Sequence, residues 1–388
     1  MPHVYGLDEA AQTFASAAAA LAAGVVAAHA AQVDAQARFP EESVAALAAE
    51  GLLGLCVAPT LGGKGQGPRA FAAVAEELAQ ACASTAMVYV MHVTATQAIA
   101  ASTTLDARDD LLGVIARGRH LTTLALSEQG SRSQFWAPVS TLQECDGGYL
   151  TSAAKSWVTA AGHADSYVSS AQKPGAASPL ESTLYLVRRG TAGVRVTAAF
   201  DGLGLRGNDS APVTIDWLRL ESGDLLTPPG EGAKMMLEVV LPWFSIGTAA
   251  MANGLCRAAL AATAQHLTGQ GFTHTGTRLR DLPNLRMRLA EMSVRTEQAR
   301  SLLGHTLATL EAGAPDASLL VLQARLAALQ AATDVTDLAM KACGGAAFSK
   351  HLPVERLFRD ARAGWVMAPT VDHLQDFVGR ALTGLPLF

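Results

Sequence analysis

Two of the three residues with the types for acid–base chemistry lie near the C-terminus, and the third stands earlier in the chain. Asp372 and His373 follow Thr370 closely, and Glu238 stands on a helical stretch just after Gly230-Glu231-Gly232. A buried carboxylate or imidazole can have its pKa shifted into the range of a general base. The structural alternative makes Asp372 a cap of the last helix and His373 a packed or solvated side chain. His92, in Met91-His92-Val93, reads as a satisfied core histidine. A second pattern is the run of small and polar residues from Leu126 and Ser127 through Arg132 to Ser133, at the end of a strand-like segment. Such a loop brings backbone amides close to a bound group. Trp157 and Thr159, two apart on a strand pattern, offer an aromatic face and a hydroxyl. On their own they read as a core residue and a strand hydroxyl, and Ser127 as a turn former.

Composition removes other classes. Formal net charge is −5 and 16% of the 388 residues are charged, so no basic surface suggests nucleic acid or an anionic membrane. The five cysteines, Cys56, Cys82, Cys145, Cys256 and Cys343, have no CxxC spacing, which argues against a zinc site or a disulfide framework. They read as buried small hydrophobes in a reducing compartment. The Ala-rich start, Ala10 to Val33, follows Asp8 and Glu9 and is interrupted by Gln12, His29 and Gln32. It is expected to be a soluble helix rather than a targeting or membrane segment, which places the protein in the cytoplasm.

The elements that must position these residues read helix-rich, strand-rich, then helix-rich. Residues 1–120 form an N-terminal helical domain, with Pro40-Glu41-Glu42 as a helix start and Gly51 as a C-cap. Residues 121–230 form a middle β-domain with an Asp146-Gly147-Gly148 hairpin turn and a strand in which Val213, Ile215 and Trp217 share the buried face. Residues 231–388 return to helical spacing. Leu289, Met292, Thr296, Ala299, Leu303, Thr306 and Leu310 make one stripe, and Leu319, Leu322, Leu326 and Leu329 another. Two such helices predict an antiparallel bundle and an oligomer interface.

These motifs occur in an order that resembles the acyl-CoA dehydrogenase family along nearly the whole chain. Phe39-Pro40-Glu41, Glu50-Gly51-Leu52-Leu53-Gly54 and Leu61-Gly62-Gly63-Lys64-Gly65 match its N-terminal pattern. The segments Leu126–Gln134, Lys155–Thr159 with Gly162–Asp165, and Gly202–Asn208 match its middle landmarks. Gly344-Gly345, Pro353–Arg362 and Ala368-Pro369-Thr370 match its C-terminal signature. The resemblance implies a mostly α fold with a central β-domain: N-terminal helices, a middle β-barrel or sandwich, and a C-terminal four-helix bundle. It implies FAD, held by Leu126, Ser127, Ser133, Trp157, Thr159, Gly344, Gly345 and Thr370. The two glycines would approach the adenosine half across a subunit interface of a homodimer or homotetramer. Ser133 and Arg132 would meet the substrate, an acyl-CoA or acyl-carrier thioester, and an electron-transfer flavoprotein would be the acceptor. Arg356, Arg359 and Asp360 read as a buried structural ion-pair network.

The pattern also breaks. In typical members a carboxylate removes the Cα proton while the Cβ hydride passes to the flavin. The usual Glu position is Ala368 here, and the alternative position, near Trp243 to Ser245, has no carboxylate either. The family's Arg before an FG pair is replaced within Phe272-Thr273-His274-Thr275-Gly276. Asp372 is therefore the candidate base of a dehydrogenase with unusual acid–base chemistry. The alternatives are a monooxygenase or oxidase of the same superfamily using O2, and a catalytically silent flavin- or acyl-binding subunit.

Overall fold

The computed structural model describes residues 3–387. The chain begins with helices α1 (Glu9–Leu21), α2 (Ala27–Gln36), α3 (Glu41–Ala49), α4 (Pro68–Ala81), α5 (Ala83–Ala100) and α6 (Arg108–Ala116). Helix α1 starts where Asp8 accepts the Ala11 N–H at 2.7 Å, with Glu9 in the positively polarised first turn. A π-helical turn, Ala22–Val26, leads into α2. Pro40 occupies the cap position of α3, one residue ahead of the expected first turn, and Gly51 follows its end at φ +71°. Helix α5 is buried on almost every side, as an apolar helix without a polar face must be, and packs on α4, α8 and β1.

The β-domain contains β1 (Thr122–Ala125), β2 (Leu142–Cys145), β3 (Gly148–Val158), β4 (Ser166–Gln172), β5 (Ser182–Arg188), β6 (Val194–Val196) and β7 (Ala211–Leu220). One sheet runs β1-β4-β5, with β1 parallel to β4; the other runs β2-β3-β7-β6, all antiparallel. Val158, Tyr167, Tyr185, Val187, Val213 and Ile215 fill the core of this domain. The Trp217 expectation fails. Val213 and Ile215 are buried, but Trp217 is 71% exposed at φ +51°. Asp216 and Trp217 together stand opposite Ser152, whose Oγ accepts the Trp217 N–H at 2.9 Å. The extra residue is a β-bulge, and it turns every later side chain to the other face, so Leu218 is buried instead.

The last part contains α7 (Gly232–Met235), a π-helical turn Met236–Val240, then α8 (Leu241–Gly269), α9 (Pro283–Glu311), α10 (Ala317–Cys343), α11 (Gly345–Phe348), α12 (Val354–Val366) and α13 (Val371–Thr383). Helix α10 is the hub, packed on α8, α9, α12 and α13. The two predicted stripes face this core: Met292, Thr296, Ala299, Leu303 and Thr306 are buried on α9, and Leu322 and Leu329 on α10. By length and composition, Glu9–Gln36 and Gly232–Gly269 are apolar enough to cross a membrane. In the fold the second lies largely within the bundle, and the first lays Ala11, Ala15, Ala18, Val26, Ala30 and Val33 on its neighbours.

Charged side chains tie the layers together. The fully buried Glu76 accepts from Arg257 at 2.7 Å and Arg300 at 3.0 Å, and also from the Tyr5 hydroxyl. Arg359 pairs with Asp34 at 2.6 Å and Glu355 at 2.8 Å. Asp360 accepts the Leu205 N–H at 2.7 Å, and Arg356 donates to the Ala81 carbonyl at 3.1 Å. The Asp360 bond fixes the Gly202–Asn208 segment against α12. A Cβ on Gly204 would lie 2.4 Å from the Arg359 carbonyl, so the approach requires glycine.

Candidate active site

The loop after β1 is held from beneath by a buried ion pair. Glu128 accepts the N–H groups of Val139 and Ser140, both at 2.8 Å, the Ser140 hydroxyl at 2.6 Å, and Lys155 Nζ at 2.5 Å. Lys155, on β3, also donates to the Ser170 carbonyl at 2.6 Å. Burial pushes the Glu128 carboxyl up, but Lys155 and Ser140 more than offset it and hold it below its ordinary value. Burial draws Lys155 down. Removing either partner would strand the other charge in the core.

This pin shapes both pieces that carry the predicted site residues. The Ser156 N–H donates to the Ser127 carbonyl at 2.9 Å, so loop and strand move together. Between Lys155 and Val158 the β3–β7 register shifts, and Trp157 takes φ +58° with 70% of its surface exposed. The indole is therefore an exposed side chain and not a core residue, with the Phe200 ring at right angles to it and the centroids 6.5 Å apart. Thr159 is buried and shares a 3.0 Å hydrogen bond with the Ser210 hydroxyl. Leu126 is buried, Ser127 and Ser133 are half-buried, and Arg132 is exposed at φ +53°.

The same loop reaches the C-terminal helices. The His373 ring stacks on Phe377 with centroids 6.0 Å apart and meets Trp136 edge-on at 6.3 Å. Thr370 caps α13, its hydroxyl accepting the His373 N–H at 3.4 Å. Asp372 lies exposed in the first turn, so the cap belongs to Thr370. The Nδ1 of His373 is buried without a partner among the described residues. Glu238 is exposed on its π-helical turn. His92 is fully buried and paired at both nitrogens: Thr122 N–H donates to Nδ1 at 3.1 Å and Nε2 faces the Leu53 carbonyl at 3.0 Å. Burial lowers its pKa to about 4, which keeps it neutral.

Gly344 and Gly345 stand apart from this group. Gly344 adopts φ +55°, ψ −132°, and a Cβ on either glycine would meet open space. Along α10 they lie roughly 29 Å from Arg325, at 1.5 Å per residue. Arg325 is the residue that sequence reasoning passed over. It is fully buried, its guanidinium 4.8 Å from the Phe244 ring centroid, and Nη2 donates to the carbonyls of Met367 at 3.1 Å and Ala368 at 3.4 Å. Nε and Nη1 have no partner among the described residues. Glu128 was also passed over, although it stands inside the quoted loop motif. The signal was its pairing with Lys155, which opens the next motif.

Family models agree with this arrangement from end to end. The N-terminal, middle and C-terminal domains of acyl-CoA dehydrogenases match residues 8–119, 123–217 and 230–382. The short-chain specific acyl-CoA dehydrogenase of Bos taurus mitochondria is 30% identical over 334 residues, 86% of this chain and 80% of that protein. This chain belongs to the acyl-CoA dehydrogenase family. A probable acyl-CoA dehydrogenase of Mycobacterium leprae is 27% identical across 94% of this chain and 92% of that one. The solved butyryl-CoA dehydrogenase of Megasphaera elsdenii superposes with a TM-score of 0.92 at 22% identity, covering 97% of this chain and 99% of that one. The FAD complex of PigA superposes at 0.90 and 20% identity, covering 97% and 98%. At these identities both structures speak to fold alone. FAD is the cofactor characteristic of acyl-CoA dehydrogenases, and the residues here fit it. Trp157 presents a largely exposed aromatic ring, the Ser127–Ser133 loop is fixed beside it through the Ser156–Ser127 backbone bond, and the backbone at Gly344 is open to a closely approaching group.

Proposed function

We propose that the chain is an FAD-dependent oxidoreductase acting on acyl thioesters, CoA- or carrier-linked, with a base other than residue 368. The observation that carries this reading is Trp157, exposed in a left-handed conformation at the register shift two residues after the buried Lys155 of the Glu128–Lys155 pair. When bound, FAD supplies the acceptor for the electrons that leave the substrate. Trp157 covers one face of the ring, and the amides of Leu126 to Ser133 and the Thr159 hydroxyl hold its edge. Thr370 contacts the cofactor from the α13 side. Gly344 and Gly345, too far along α10 to join the same site easily within one chain, approach the adenosine half from a second copy in a homodimer or homotetramer. Arg132 and Ser133, at the outer end of the loop, meet the thioester. Asp372 is the carboxylate nearest position 368 in sequence and is the base to test first, by Asp372→Asn.

The absence of a carboxylate at both customary positions favours a second reading, in which O2 replaces an electron-transfer flavoprotein as the acceptor. Anaerobic titration of the flavin-loaded protein with a panel of acyl thioesters separates the two. Bleaching of the flavin by thioester alone supports dehydrogenation. Reduction only by an external NADH-driven system, followed by oxygen uptake, supports the monooxygenase. Protein that stays colourless after soaking in FAD would overturn both and leave a silent subunit. We place this activity in the cytoplasm.

A further inference from the structure

The Trp157 indole is exposed, yet one aromatic ring meets it. Among the described residues that ring is Phe200, perpendicular to the indole with centroids 6.5 Å apart. Phe200 is half-buried against the β-domain core, in the segment that joins β6 to β7. The residues that follow it are fastened outside the β-domain. Arg359 of α12 donates to the Leu203 carbonyl at 3.1 Å, and Asp360 accepts the Leu205 N–H at 2.7 Å. Arg206 donates to the Gly202 carbonyl at 3.2 Å and to the carbonyl of Asp34, on α2, at 3.0 Å. Gly202 leaves room for the Phe200 ring itself, since a Cβ there would overlap its Cζ. Phe200 is thus the head of a strut footed on α2 and α12.

We propose that Phe200 is a positioning residue: its ring fixes the orientation of the Trp157 indole. Through the strut, that orientation is tied to α12, which leads into Ala368-Pro369-Thr370 on the other side of the cofactor. The inference rests on the reading that FAD lies between Trp157 and Thr370, and it deepens that reading. An exposed side chain samples several rotamers unless a neighbour restrains it. A perpendicular ring at this separation supplies the restraint, because edge-to-face attraction favours one arrangement of the pair. An indole oriented before the cofactor arrives loses less freedom when the two rings stack.

The test reads the fluorescence of bound flavin at saturating FAD, separated from free flavin by its anisotropy. An indole stacked on an isoalloxazine quenches that emission, so the unaltered protein should be dim and Trp157→Ala bright. Phe200→Leu keeps apolar volume but removes the ring. It should raise the emission about twofold or more, with the unfolding midpoint of the FAD-free protein close to that of the unaltered chain. Gly202→Ala, which displaces the Phe200 ring but keeps the residue, should brighten the flavin likewise. Phe200→Tyr, which keeps the ring, should stay dim, and so should Leu203→Ala, whose side chain is 65% exposed in the same segment. Phe200→Leu and Gly202→Ala as dim as the unaltered protein, beside a bright Trp157→Ala, overturn this inference alone. Equal brightness in Phe200→Tyr or Leu203→Ala also overturns it, since the segment rather than the ring would then be responsible. A Trp157→Ala protein as dim as the unaltered one overturns both the inference and the placement of FAD on Trp157.

Discussion

Replacing Arg325 with methionine should make the FAD-free protein more stable, an unusual outcome for a fully buried position. The guanidinium is held at about 9 by burial, down from its ordinary value above 12. At about 1.36 kcal/mol per pKa unit, carrying the charge at neutral pH costs roughly 5 kcal/mol. Against this stand one good charge-assisted bond to Met367, about 1.5 kcal/mol, and the contact with Phe244, about 1 kcal/mol. Methionine fills similar volume without charge. The net expectation is a gain of about 2–3 kcal/mol at pH 7, measured by urea unfolding of the two proteins side by side. The sign of the pH dependence follows from the same shift. Above about 9 the folded form of the unaltered protein sheds its proton while the unfolded chain retains it, so its stability rises with pH. The advantage of Arg325→Met should therefore shrink in alkaline buffer. A loss of more than 2 kcal/mol at pH 7 would refute the reasoning, because it would mean that the cation already has a counter-charge.

Lys155→Met should destabilise by about 3–5 kcal/mol by stranding Glu128, and Lys155→Met with Glu128→Gln should recover most of that loss in the same unfolding assay. His92, neutral in the fold down to about 4 and ordinarily titrating near 6.5, should make stability fall as pH drops between those values, by up to roughly 3 kcal/mol. Below pH 6.5 the unfolded chain binds the proton first; His92→Gln should flatten that slope in pH-dependent melts. Trp157→Ala should leave the unfolding midpoint within about 0.5 kcal/mol, since the indole is exposed, yet reduce flavin retained after gel filtration by about five- to tenfold.

Most of the architecture was legible because it rests on periodicity. The Met292–Thr306 stripe, the Asp146-Gly147 turn and the left-handed Gly51 are local signals that the packing obeys. Trp217 was misread because a bulge is invisible to alternation: one inserted residue reverses the face, and nothing in Val213 to Trp217 announces it. Arg325 was missed for the opposite reason. It falls on the buried face of α10 beside Leu322 and Leu329, but a charged residue in such a stripe is ordinarily assigned to solvent. Only the three-dimensional neighbours, Phe244 and the Ala368 carbonyl, give it meaning. The candidate base stayed beyond reach of sequence because proton transfer depends on distance, and Asp372 and His373 point to different surroundings despite being adjacent.

Helix α10 acts as a ruler. It carries the buried Arg325 in its first half and ends at Cys343, immediately before the glycine pair. Inserting one residue between them would lengthen that rod by only about 1.5 Å but rotate one end about 100° against the other. Side chains along it are free to drift; the count of residues between Arg325 and Gly344 is not.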